Sequence, residues 1–163
     1  IIDNDEEYIV YGHSMGAIIG YLVCEKLEQL KISKPKKLIV SGRKAPSISK
    51  DEKTYHLPSE QFWTKVIELG GIPNEVHEEV ALRQFFEPTL KADFKIVEEY
   101  QYKRQSKLDI PIDVLYGSEE VKYEFEMLLW SEVTSNDVEV YKCEGNHFFI
   151  YDNIEFIIDR MTH

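Results

Sequence analysis

Two rhythms alternate along this chain. Residues 7–11, 37–41, 109–116 and 137–143 are short runs rich in β-branched and aromatic side chains, among them Tyr8-Ile9-Val10-Tyr11 and Leu38-Ile39-Val40. Each has the length and composition of a strand. Residues 15–30 and a last stretch from about 153 to 161 instead carry apolar positions at helical spacing. Gly42 and Gly117 close the second and third runs. Strands separated by helices predict a mostly parallel sheet built from right-handed crossovers, with helices on both faces.

The junction of the first strand and first helix reads Tyr11-Gly12-His13-Ser14-Met15-Gly16. Gly-x-Ser-x-Gly in that setting is a nucleophile elbow, the sharp strand-to-helix turn of the α/β-hydrolase fold. Its three fixed positions arise by chance in about one chain in twenty of this length, so the flanking elements carry much of the weight. Larger side chains than those of Gly12 and Gly16 are expected to collide in the turn. Ser14 is expected in a strained backbone conformation with its hydroxyl clear of the sheet. The Met15 amide, at a helix N-terminus, is the expected oxyanion donor.

Residues 43–104 break the alternation. The stretch is too long for a simple crossover and holds no clear strand. It predicts helices over 59–69, 75–81 and 82–102, the last interrupted near Pro88, with Ser59 as an N-cap and Gly70-Gly71 then Pro73 as a stop. An insertion at this point of an α/β-hydrolase forms a helical lid over the nucleophile. The aromatics Phe62, Trp63, Phe85, Phe86 and Phe94 exceed what one sheet face needs, which favours a lid over ordinary packing.

With 163 residues, 43% of them hydrophobic, the chain can bury one core, and a single domain over residues 1–163 is expected. A full α/β-hydrolase places several strands before the elbow and usually runs to roughly 200–250 residues. The chain therefore reads as the C-terminal two-thirds of such a domain without its N-terminal part, and as a monomer when complete. A net charge of −11 with no basic stripe argues against nucleic acid as a partner. The one basic run, residues 31–37, reads as a solvated loop. No apolar run reaches the length of a membrane span. Cys24 and Cys143 are isolated and read as reduced core thiols of a cytoplasmic protein.

A serine nucleophile needs a base, and the base needs an acid to fix its tautomer. In this fold the order along the chain is Ser, then Asp or Glu, then His. Of the five histidines, His13 precedes the serine, so its side chain is expected to point elsewhere. His56 and His77 lie in the insertion, and His163 is the last residue. His147 follows the last strand in Glu144-Gly145-Asn146-His147-Phe148-Phe149, where the base must be. The acid belongs just after the third strand, in Gly117-Ser118-Glu119-Glu120. Glu120 is the first choice, three residues past the glycine; Glu119 is the rival, and Asp113 lies within the strand. No His/Cys/Asp cluster has metal-ligand spacing, so neither a metal nor another cofactor is expected.

Beyond this site, the chain resembles the type II thioesterases that accompany non-ribosomal peptide and polyketide synthases. The resemblance rests on Gly12-His13-Ser14-Met15-Gly16, Ser41-Gly42-Arg43-Lys44-Ala45-Pro46 and Glu68-Leu69-Gly70-Gly71-Ile72-Pro73. It continues through Pro88-Thr89-Leu90-Lys91-Ala92-Asp93-Phe94, with Glu99-Tyr100, to Gly145-Asn146-His147-Phe148-Phe149. It implies hydrolysis of acyl thioesters from the phosphopantetheine arm of carrier proteins, an editing role. It also implies Ser14 as nucleophile and His147 as base, with Glu120 where the family usually has Asp. A second oxyanion donor, beside the Met15 amide, would then lie in the N-terminal region before the elbow.

Overall fold

The computed structural model describes residues 7–48, 53–103, 106–120 and 124–162. His163, named above, and residue 104, the end of the expected insertion, lie outside them. Among the described residues, four strands form one sheet: β1 (Ile9–His13), β2 (Lys37–Ser41), β3 (Ile112–Gly117) and β4 (Val138–Cys143). They lie side by side in chain order, and every pairing is parallel. Because successive side chains alternate faces, Leu38, Val40, Ile112, Val114 and Tyr116 build one core with Ala17, Tyr21, Cys24 and Trp130. Ile39, Leu115 and Cys143 build the other with Phe149 and Ile157. Helix α1 (Met15–Gln29) therefore covers one face and α6 (Ile154–Thr162) the other, as a buried parallel sheet requires. Both cysteines are buried and free.

The boundaries moved where backbone pairing outweighs side-chain pattern. The first strand begins at Ile9, not residue 7, and runs through the motif, since Gly12 and His13 pair with Val40 and Ser41. The third begins at Ile112 because Pro111 has no N–H to give a ladder. A short helix, α5 (Phe125–Leu128), was not anticipated; the turn after it buries Trp130, whose indole donates to the Arg43 carbonyl at 3.1 Å.

Among the described residues between β2 and β3 stand three α-helices: α2 (Ser59–Glu68), α3 (Asn74–Glu78) and α4 (Val80–Glu99). The second ends at Glu78, not residue 81, the third runs from Val80 to Glu99 rather than over 82–102, and two further differences have a clear cause. Pro88 lies inside α4 without ending it. A proline there costs about 3 kcal/mol, and the second half is held in line because Leu90 and Phe94 pack on Phe62, Trp63 and Val66. Ser59 is not the cap; Pro58 is, and the Ser59 hydroxyl donates to Glu87 at 2.5 Å. Glu87 also accepts from the Trp63 indole at 3.0 Å and pairs with Lys91 at 2.9 Å. These bonds, that from Ser59 foremost, hold the Glu87 carboxyl below its usual range. The three helices thus own a separate apolar cluster, while Phe85 and Phe86 face solvent.

Glu87→Ala removes an ionised acceptor shared by two helices, at an expected cost of roughly 1–3 kcal/mol to this unit. Limited proteolysis should cut the 53–103 segment faster than in the parent, and Glu87→Gln should recover part of the protection. Equal cutting rates would contradict the linking role.

Candidate active site

With all four strands parallel, the loops that leave β1, β3 and β4 emerge at the same end of the sheet, the end where ligands bind in open α/β sheets. The elbow is fixed there by two features. A Cβ on Gly12 would lie 2.0 Å from the Gly16 carbonyl oxygen, so only glycine lets the helix return over the strand. Gly16, expected to be needed for the same reason, is not: a Cβ there would meet nothing within 4 Å. Ser14 takes φ 54° and ψ −114°, a conformation that costs a non-glycine residue of order 1–3 kcal/mol. It is held by its N–H, which donates to the Ser41 carbonyl at 2.8 Å.

Three of the side chains singled out in the sequence meet at this end. His147 Nε2 lies 2.9 Å from Ser14 Oγ, and His147 Nδ1 is bonded to Glu120 Oε1. A carboxylate only accepts, so Nδ1 carries the proton and Nε2 of the neutral ring is the acceptor for the Ser14 hydroxyl. The other Glu120 oxygen accepts the Gly117 N–H at 3.1 Å. Burial pushes the Glu120 carboxyl up, but the bonds from His147 and Gly117 outweigh it and leave it below its ordinary value. The acid loop is tied to the histidine loop by the Ser118 N–H to Cys143 (2.8 Å) and the Glu119 N–H to Gly145 (3.1 Å).

The rival acids stand elsewhere. Glu119 is exposed, and Asp113 is buried in β3 and paired with Lys37 at 2.9 Å. Met15 is the first residue of α1, where backbone N–H groups have no acceptor within the helix. Among the described residues, no group of three His, Cys, Asp or Glu side chains is placed to hold a metal ion. No described helix is long and apolar enough to cross a membrane.

One histidine departs from expectation. His13 does not point away; its ring centroid lies 4.9 Å from that of His147. Its Nδ1 is bonded to Ser41 Oγ at 2.9 Å, which the Tyr11 hydroxyl also reaches at 2.9 Å. Its buried Nε2 has no partner among the described residues. Burial first, then the neighbouring His147, push its pKa down to about 4. The strand alternation could have found it. His13 shares a sheet face with Tyr11 and Ile9, and that face is the one carrying Phe149.

Comparison with known proteins agrees with this architecture. Residues 2–163 match the thioesterase domain family. The chain belongs to that family, and its sheet and helices are those of an α/β-hydrolase. Gramicidin S biosynthesis protein GrsT of Aneurinibacillus migulanus is 34% identical over 156 residues, covering 92% of this chain and 61% of that protein. The medium-chain S-acyl fatty acid synthase thioesterase of Rattus norvegicus is 29% identical over 163 residues, covering 96% and 61%. Among solved structures, YbtT, a type II thioesterase from the Yersiniabactin NRPS/PKS biosynthetic pathway, superposes with a TM-score of 0.86 at 28% identity, covering 98% of this chain and 65% of that one. The chain spans about three-fifths of the length of these curated relatives.

The depressed pKa of His13 sets a pH dependence of stability. Its folded value, about 4, lies below the ordinary 6.5, so between those values the unfolded chain binds a proton that the folded chain does not. The contribution is fully present above about pH 6.5 and is lost as pH falls toward 4. Glu120, also depressed, adds a loss at lower pH with the same sign. Urea midpoints measured from pH 7 to 4.5 should therefore fall, and His13→Gln should flatten the upper part of that slope. An unchanged slope would show that His13 is not held neutral by the fold.

Proposed function

We propose that this chain carries the catalytic machinery of a serine thioesterase that releases acyl groups from the phosphopantetheine arm of carrier proteins. The observation that carries the reading is the Ser14–His147–Glu120 alignment within a chain of the thioesterase domain family. His147 Nε2 takes the Ser14 proton as Oγ attacks the thioester carbonyl, and Glu120 stabilises the imidazolium that forms. The oxyanion is hydrogen-bonded by the Met15 N–H at the start of α1. The thiol leaves with a proton from His147, and the ring then takes one from water, which attacks the acyl-serine carbonyl and frees the acid. A thiolate leaves readily, so this acid–base pair has a modest task.

The α2–α4 segment is proposed as a lid beneath which the pantetheine arm enters. Its separate apolar cluster supports a unit able to shift relative to the sheet. The names of the relatives support an editing role beside a peptide or polyketide synthase. A small-ester carboxylesterase or acyltransferase on the same scaffold is the alternative, since fold alone does not choose the acyl donor. The two buried thiols support a cytoplasmic setting, and a monomer is the proposed state of the complete protein.

An acetylated phosphopantetheinyl carrier protein, followed by intact mass, tests the reading. Acetyl loss should fall to background with Ser14→Ala, and by roughly 100- to 10,000-fold with Glu120→Gln, which leaves the imidazole without its ionised partner. Cleavage of free small esters with the carrier untouched would move the protein to the esterases. Acetyl loss that survives Ser14→Ala would remove the nucleophile assignment.

A further inference from the structure

The turn between α2 and α3 touches the histidine loop on both sides of His147. Gly70 (φ +81°) lies against Asn146: a Cβ there would be 2.5 Å from Asn146 Nδ2. Gly71 (φ +74°) lies against Phe148, where a Cβ would be 2.5 Å from the ring carbon Cδ2. Both glycines adopt left-handed backbone, which turns their bare faces toward the loop without steric cost. Asn146 and Phe148 are the immediate neighbours of His147. The Asn146 side-chain oxygen accepts the Phe148 N–H at 2.8 Å, closing a small ring of contacts around the histidine. The Phe148 ring stands at 90° to the His147 imidazole, centroids 5.2 Å apart, and is stacked on Tyr151.

We propose that the Gly70–Gly71 turn is a positioning element for the base: seated on Asn146 and Phe148, it holds His147 in line with Ser14. The inference rests on the Ser14–His147 assignment made above. Three observations carry it together. The α2–α4 helices have their own core, separate from both sheet cores, so their placement on the sheet is decided by a few contacts such as this one. The turn meets the two residues that bracket the imidazole and not a remote surface. The space is filled so closely that neither glycine can gain a methyl group unless Asn146 or Phe148 gives way. An error of about 1 Å in a catalytic group can cost roughly 100-fold in rate, so a displaced Phe148 is enough to misalign the adjacent ring.

The test uses the intact protein and a fluorophosphonate probe, which reports Ser14 reactivity whatever the natural acyl donor. Gly71→Ala should slow labelling about 10- to 100-fold, while its left-handed φ of +74° lowers the thermal midpoint with or without the Phe148 ring. Placed in a Phe148→Ala background, the same substitution should have almost no further effect, because the ring it would displace is gone. Gly70→Ala and Asn146→Gly form a second, independent pair with the same expectation. If Gly71→Ala costs as much without the Phe148 ring as with it, backbone strain is the cause and the proposal falls. It falls too if Gly71→Ala labels at the parent rate. A parent that labels at Ser14 yet leaves carrier thioesters intact would overturn the substrate reading alone. A parent that does not label would overturn the nucleophile assignment and this proposal with it.

Discussion

All four strands run parallel and lie in the order in which they are made, and the site depends on that alignment. Parallel strands deliver their outgoing loops to one end of the sheet. Residue 14, more than a hundred positions before residues 120 and 147, can then share one small volume with them. The alignment is held by apolar side chains on both faces, Leu38 and Val40 on one and Ile39 on the other. A one-residue slip of β2 would exchange those faces and carry Ser41 away from the His13 ring and from the amide of Ser14.

On that frame the site is built from strain and compensation. Ser14 sits in an unfavourable conformation that the Gly12 approach and the bond to Ser41 over-determine. Glu120 is partly buried, which opposes its charge, yet hydrogen bonds from His147 and Gly117 keep it ionised. The neutral His13 beside them adds no competing positive charge next to His147. Each element would be costly by itself and is tolerable because its neighbours supply the opposing interaction.

The helical segment follows a different logic. Phe62, Trp63, Val66, Leu90 and Phe94 face one another rather than the sheet, and Glu87 ties α4 to α2 through Ser59 and Trp63. A unit with its own core can shift without unpacking either face of the sheet.

Much of this was legible in the residues. The strand-like runs and the Gly12-His13-Ser14-Met15-Gly16 turn are local patterns, and local sterics and periodicity dictate them. Glu120 and His147 could be named because a parallel sheet obliges the loops after its strands to converge. What the residues could not disclose depended on which groups meet across the fold. Pro88 reads as a break until Leu90 and Phe94 find a partner helix. Ser59 reads as a cap until Glu87 takes its hydroxyl. His13 reads as a bystander until β4 brings His147 beside it. Short-range chemistry was set by sequence alone; tertiary structure decided every case in which a distant partner offered a stronger interaction than the local one.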